Sequence, residues 1–118
     1  MNNNLSIKRG NSLFINYTNQ DNSSPPLPIS LSGATLYFTV KSVPWDTNAS
    51  DSSAIFQVLS SGNTGNTCTF SISPAQTELL SPGTNYYYDI TISYANGVVV
   101  TPIYGDIKVN PTVTNKAS

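Results

Sequence analysis

Few side chains in this sequence could do covalent chemistry. The chain has no histidine and one cysteine, Cys68. A thiol without a neighbouring base is a poor nucleophile, and Cys68 lies in the alternating run Thr67–Phe70, which predicts a buried, inert side chain. One cysteine cannot form an intrachain disulfide. The sequence therefore excludes Ser-His-Asp and Cys-His catalysis.

The carboxylates offer two weaker candidates for a reactive site. Asp89 and Glu78 could act as the acid and base of a glycosidase. However, Asp89 falls inside a predicted strand, and no insertion predicts a cleft, so solvated or capping carboxylates are favoured. Asp46 and Asp51 share a loop but lack the dense Asp/Gly pattern of a calcium-binding loop. We expect no enzyme activity, no catalytic residue, no metal site and no cofactor.

Aromatic residues could instead make contacts with a partner. Tyr86, Tyr87 and Tyr88 are consecutive, which would suit a sugar-stacking platform. On a strand, however, Tyr87 points away from the other two, so we favour two tyrosines in the core and one outside. Trp45 follows a proline in a polar loop, where it is either a lid over the core or an exposed contact.

The elements that must position these residues are best defined around Leu80–Tyr94. Pro82 and Gly83 predict a tight turn. Leu80 can pack beneath this turn, and the hydroxyl of Tyr86 can bond back to its backbone. This arrangement is the tyrosine corner of β-sandwich domains.

Alternating apolar residues predict about seven strands. Thr35–Lys41 is typical, with Leu36, Phe38 and Val40 on the inward side. Residues 5–18 read as a strand pair or as one bent strand. The other predicted strands are Ala54–Leu59, Thr67–Ser71, Tyr86–Tyr94, Val98–Thr101 and Asp106–Val109. The fold class predicted is all-β, an immunoglobulin-like sandwich with Greek-key connections and one short helical turn.

Turn signals separate these strands. Ser73, Pro74 and Gln76 predict a capping box opening one helical turn. Asn96-Gly97 predicts a type I′ hairpin. Pro102 is expected to break the return strand, with a bulge at Gly105. Residues 19–30 and 42–53 are expected to be loops, the first ending as an extended edge segment at Leu27, Ile29 and Leu31.

Composition narrows the classes of partner. Charged residues make up 9% of the chain and the net charge is −1, whereas Asn, Ser and Thr supply 44 of 118 residues. The basic residues are scattered, so we expect no nucleic-acid binding; they are Lys8, Arg9, Lys41, Lys108 and Lys116. No segment predicts a membrane span or a signal peptide. Sequons at Asn4, Asn16, Asn22 and Asn48 are attributed to chance. We expect a single domain over residues 1–118, with flexible ends near residues 1–4 and 115–118.

The order of several motifs resembles a family of small structural proteins of tailed bacteriophages. The motifs are Ile7–Asn11, Leu31–Lys41, Leu80–Ile90, Asn96-Gly97, Gly105–Val109 and Val113-Thr114. The N-terminal domain of the upper baseplate protein of some siphophages is similar.

This resemblance implies a non-enzymatic virion protein with an immunoglobulin-like fold, made in the host cytoplasm and located at the tail, baseplate, neck or capsid surface. It implies virion proteins as partners, in several copies per particle, and no nucleic acid, membrane or small-molecule substrate. Loops 19–30 and 42–53 are the expected contact regions. The alternative is a binding module, of the fibronectin type III or adhesin kind, that recognises a cell-surface glycan or protein.

Overall fold

Seven strands and one short helix form in the computed structural model, which describes residues 4–21, 23–42 and 54–110. The all-β prediction is confirmed. The elements are β1 (Leu5–Lys8), β2 (Leu13–Thr18), β3 (Thr35–Lys41), β4 (Phe56–Ser60), β5 (Thr67–Ile72), α1 (Pro74–Thr77), β6 (Asn85–Ser93) and β7 (Val99–Asn110). No helix of these residues is long and apolar enough to cross a membrane.

The strands divide into two sheets. One has five strands in the order β1-β7-β6-β3-β4, and the other has two, β2-β5. Residues 5–18 form two strands joined by a turn, but neither a strand pair nor one bent strand, because β1 pairs in parallel with β7 whereas β2 pairs antiparallel with β5. Two sheets that share one core make a β-sandwich, as the sequence predicted, although the strands divide five and two rather than four and three.

The core lies between the sheets and is centred on Phe38 of β3. Its ring centroid lies 5.3 Å from that of Tyr88, 5.8 Å from that of Phe70 and 6.4 Å from that of Phe56. Phe70 belongs to β5, so its contact with Phe38 joins the two sheets. The inward side of β3 was predicted correctly, since Leu36, Phe38 and Val40 are all fully buried.

The predicted helical turn begins with the predicted cap. Ser73 and Gln76 form the capping box, in which each side chain bonds the backbone N–H of the other residue. The buried hydroxyl of Thr77 then accepts a hydrogen bond from the N–H of Gly10 (2.9 Å) and lies 3.0 Å from the Asn11 carbonyl, to which it donates. This contact fixes the helix against the turn in which the chain passes from β1 to β2.

The tyrosine corner is also confirmed. The N–H of Ser81 donates to the hydroxyl of Tyr86 at 2.9 Å, and Leu80 is fully buried beneath it. The N–H of Thr84 bonds the Ser81 carbonyl, and Gly83 has φ of +84°. A turn with a proline followed by a residue of positive φ is type II, a conformation that favours glycine at this position.

We expect Tyr86→Phe to lower the free energy of unfolding by about 1–3 kcal/mol, because the N–H of Ser81 loses its acceptor in a partly buried place. Urea denaturation measures this. The control is Tyr87→Phe, which removes the same hydroxyl from the neighbouring tyrosine on the opposite side of β6. Equal losses in the two variants would contradict a special role for the corner.

The hairpin between β6 and β7 forms, but the predicted type I′ turn is wrong. Among the described residues only glycines have positive φ, so Gly97 (φ +90°) adopts it and Asn96 does not. The N–H of Gly97 bonds the Tyr94 carbonyl at 3.0 Å, and that of Tyr94 bonds the Val98 carbonyl at 2.8 Å. These bonds close a three-residue loop that ends in a left-handed glycine, a common alternative to the two-residue type I′ hairpin.

The predicted break at Pro102 and the predicted bulge at Gly105 are also wrong. Strand β7 continues from Val99 to Asn110. The register shifts between Ile90 and Ile92, so that Thr101 and Pro102 together stand opposite Thr91. The bulge therefore lies at the proline, where the missing N–H leaves the ladder intact on either side. Gly105 pairs in register with Tyr88.

Several expectations fall on residues outside the described ranges. These concern Trp45, the pair Asp46 and Asp51, almost all of loop 42–53, and the end 115–118.

Candidate functional site

The side chains that could take part in a reaction lie in different parts of the fold. Cys68 is 3% exposed inside β5, so the predicted burial of its thiol is confirmed. Asp89 lies midway along β6 on its outward side, whereas Glu78 ends helix α1 in the β5–β6 connection. Within residues 4–21, 23–42 and 54–110, no three acidic or thiol side chains are grouped as metal ligands.

The most distinctive surface is the side of the five-stranded sheet that faces away from β2 and β5, which we call the outer face. Cross-strand pairing arranges its central side chains in three rows. Neighbours within a row are about 4.8 Å apart and rows are about 7 Å apart. The rows are Leu59, Tyr37 and Thr91; Gln57, Thr39, Asp89 and Tyr104; and Lys41, Tyr87 and Asp106.

Each row of the outer face carries one tyrosine. Tyr37, Tyr87 and Tyr104 come from β3, β6 and β7, and Tyr104 is 49% exposed. The predicted division of the consecutive tyrosines is confirmed, because Tyr86 and Tyr88 are buried on the inward side. Three phenol rings from three adjacent strands thus share one surface.

Hydrogen bonds between side chains hold the polar part of the outer face. The Gln57 amide donates to the Thr39 hydroxyl at 2.9 Å, and Thr39 is buried although it points outward. The Thr91 hydroxyl lies 3.2 Å from Oδ1 of Asp89, to which it donates, and 3.0 Å from the hydroxyl of Thr101. These bonds restrict the side chains before any partner binds, which lowers the entropy cost of binding.

The charges on the outer face are mixed and nearly balanced. Residues Lys8, Lys41 and Lys108 lie on outward positions of β1, β3 and β7, on the same side as Asp89 and Asp106. The lysines are scattered in sequence but share this side of the sheet. Because carboxylates lie among them, they do not form the uninterrupted basic stripe typical of nucleic-acid binding.

The dimensions of the outer face limit what it can bind alone. Five strands span about 19 Å, and the outward positions of β6 extend over about 27 Å, which gives roughly 500 Å² of projected area. A stable protein interface buries about 800 Å² per partner. A partner held through this face therefore needs adjoining loops or repeated contacts.

Loop 19–30 adjoins the sandwich and is organised by Asn19, which is 4% exposed. Its amide oxygen accepts a hydrogen bond from the hydroxyl of Tyr17 at 2.9 Å. Its amide nitrogen donates to the hydroxyl of Tyr94 at 2.9 Å and to the carbonyl of Ile29 at 3.3 Å. One side chain therefore joins β2, the residue that follows β6 and the far side of the loop.

The tip of this loop is fixed by Asp21. Its carboxylate accepts hydrogen bonds from the backbone N–H groups of Leu27 (2.8 Å) and Ser23 (3.0 Å). These bonds, that from Leu27 first, hold the pKa of Asp21 below its usual value of 3.8. A carboxyl group whose pKa is lower in the folded state stabilises the fold at every pH above its unfolded-state pKa. This stabilisation is lost as the pH falls through the folded-state pKa.

The expected extended segment at the end of the loop forms only in part. A single bridge joins Gln20 and Pro28, and residues 29–34 are not part of a strand. Leu31 is fully buried, but Leu27 and Ile29 are exposed. These two apolar side chains are candidates for contact with a partner.

Two buried tyrosines make stability depend on pH in alkaline solution. Burial raises the pKa of Tyr17 and of Tyr88 above 10.0, with an additional electrostatic contribution from Tyr94 at Tyr17. A tyrosine whose pKa is higher in the folded state contributes its full stabilisation at every pH below its unfolded-state pKa. This stabilisation is lost as the pH rises through the folded-state pKa.

We therefore expect the temperature of the unfolding midpoint to decrease as the pH rises above about 10, the usual pKa of an exposed tyrosine. The double variant Tyr17→Phe with Tyr88→Phe should show a flatter profile over this range, because neither side chain can ionise. Circular dichroism melts at matched ionic strength measure both profiles. Parallel profiles for the two proteins would contradict this assignment.

No known family model matches the chain, and no curated protein matches it. The outer face and loop 19–30 are therefore described only from the contacts and exposure of this chain's own residues.

Proposed function

We propose that the protein is a non-enzymatic structural component of a tailed-bacteriophage virion, and that it docks on neighbouring virion proteins through its outer face. The observation that carries this proposal is the placement of Tyr37, Tyr87 and Tyr104 on one nearly neutral sheet surface. The family resemblance of the sequence supports the same function.

The chemistry of the outer face suits protein packing. Tyrosine combines a large apolar ring with a hydroxyl that can bond across an interface, and it is enriched at binding hot spots. Balanced charges avoid strong repulsion between repeated copies. Because the face is smaller than a standard interface, many copies in one particle would supply the affinity that one contact lacks.

The proposed location is the virion, with synthesis in the cytoplasm of the host. The proposed partners are other virion structural proteins at the tail, baseplate, neck or capsid surface. The exposed Leu27 and Ile29 of loop 19–30 would supply a second contact, separate from the outer face.

The same tyrosines favour one second candidate function, a module that binds a cell-surface glycan. Phenol rings can stack on sugar rings, and Tyr37 and Tyr87 lie on adjacent strands. A glycan array distinguishes the two functions. Specific binding that is lost in Tyr87→Ala would support the glycan module, whereas a blank array would count against it.

We expect Tyr104→Ala to reduce incorporation into particles by about tenfold or more, the size of effect typical of an interface hot spot. Its fold should persist, because replacing an exposed side chain changes stability by about 0.5 kcal/mol or less. Quantitative mass spectrometry of purified particles measures incorporation. Leu79→Ala, at another exposed apolar residue beside α1, is the matched control.

The possible results test the virion function and the assignment of the outer face separately. Particles that lack the wild-type chain would overturn the proposed function. Particles that incorporate wild type and Tyr104→Ala equally would overturn the assignment of the outer face but not the virion function.

A further inference from the structure

The two-stranded sheet has an open edge along β2. Strand β2 pairs with β5 on one side, and in the described parts of the chain no strand pairs with its other side. The N–H of Asn19 bonds the Asn66 carbonyl at 2.7 Å, so every second residue before Asn19 also forms a hydrogen-bonded pair with β5. The N–H and C=O groups of Phe14, Asn16 and Thr18 therefore point away from β5.

This edge lacks the features that usually prevent strand addition. Its six residues, Leu13–Thr18, include no charge, proline or glycine, and its pairing with β5 has no bulge. The open part of β7 differs, since Pro102 and a bulge interrupt it. Flat, uncharged edges are templates for pairing with another strand.

The apolar side chains along β2 are also incompletely covered. Phe14 is 64% exposed, and Leu13 and Ile15 are only half-buried on the inward side. A sheet of two strands is marginal compared with one of three or more. An added strand would bond the open backbone groups and bury part of these side chains.

We propose that β2 pairs antiparallel with β2 of a second copy of this chain, which makes a continuous sheet β5-β2-β2-β5 across a two-fold axis. With the axis at Asn16, Phe14 stands opposite Thr18 of the second copy and Ile15 stands opposite Tyr17. Inward residues thus face inward residues, so both cores continue across the junction. The strand carries no charge, so self-pairing brings no like charges together.

The contact is short and therefore weak on its own. Six paired residues extend over about 20 Å, which is below the area that a stable dimer needs. High local concentration, as in any ordered assembly, would favour it. The inference does not rest on the proposed function, because it uses the opposite side of the sandwich from the outer face.

Sedimentation of the full chain from about 10 µM to about 500 µM tests this pairing, with Asn16→Lys and Thr69→Lys as matched variants. Both variants add the same charge to the same side of the sheet, and both remove the hydrogen bond from Thr69 to Asn16. Only Asn16→Lys places two lysines opposite each other at the axis. It should weaken the dimer about fivefold, while Thr69→Lys leaves its affinity within about twofold.

Hydrogen exchange at the two ends of this concentration range completes the test. The amides of Phe14, Asn16 and Thr18 should gain protection as the concentration rises. A chain that stays monomeric, or a dimer that both variants weaken equally, would overturn the proposal. Protection of these amides at every concentration would also overturn it, because a segment of the same chain would then cover the edge.

Discussion

Replacing Phe38 with alanine lowers the free energy of unfolding by about 3–5 kcal/mol, the usual cost of removing a fully buried phenylalanine. The ring contacts Tyr88 beside it in the same sheet and Phe70 in the other sheet. Its loss leaves a cavity where the two sheets meet, and close-packed neighbours can fill such a cavity only in part. A loss of this size is a large fraction of the total stability of a small domain.

Urea denaturation at a dilute protein concentration measures the effect, with Phe14→Ala as control. Phe14 lies on a strand of the same sandwich but is 64% exposed. Its replacement should change the free energy of unfolding by about 0.5 kcal/mol or less. Comparable losses at Phe14 and Phe38 would contradict the assignment of the core.

Asn19→Ala should cost about 2–4 kcal/mol, the second largest effect we expect. The side chain makes three hydrogen bonds, each contributing about 1 kcal/mol. Its loss also leaves the hydroxyls of Tyr17 and Tyr94 without the partner that each has in the wild type. Loop 19–30 should become more accessible, since the link to the Ile29 carbonyl is lost.

Two measurements check the Asn19 prediction. Denaturation gives the loss of stability, and hydrogen exchange reports on the amides of Leu27 and Ile29. The matched control is Asn16→Ala, which removes an asparagine whose one described hydrogen bond, from Thr69, is exposed. If Asn16→Ala and Asn19→Ala destabilise equally, Asn19 is not the centre of the loop.

Local signals in the sequence predicted the local structure well. The corner at Tyr86 and the cap at Ser73 depend on residues a few positions apart, so their geometry follows from the residues themselves. The hairpin at Asn96-Gly97 was predicted but its type was not, because only Gly97 adopts positive φ. Pro102 was predicted to end a strand, yet a bulge accommodates it.

Features that depend on pairing distant strands could not be predicted. The parallel pair of β1 and β7 joins segments about a hundred residues apart. Alternation alone predicted that Tyr37 points outward and that one of the consecutive tyrosines does so too. That Tyr37, Tyr87 and Tyr104 share one face follows from the registers of three strands.

The role of Asn19 was also missed. Asparagine in a polar, proline-rich segment is typical of an exposed loop, and the sequence alone gives no reason to expect burial. Its partners Tyr94 and Ile29 lie 75 and 10 residues away. The lysines are a similar case, because Lys41 and Lys108 are distant in sequence but lie on the same side of the sheet.

A cryo-electron microscopy map of the particle that contains this chain would show whether the outer face packs against other virion proteins. We expect the sandwich in repeated copies, with a neighbouring protein covering Tyr37, Tyr87 and Tyr104 of the outer face. A complete map in which no density fits the sandwich, or in which all three tyrosines face solvent in every copy, would contradict this expectation.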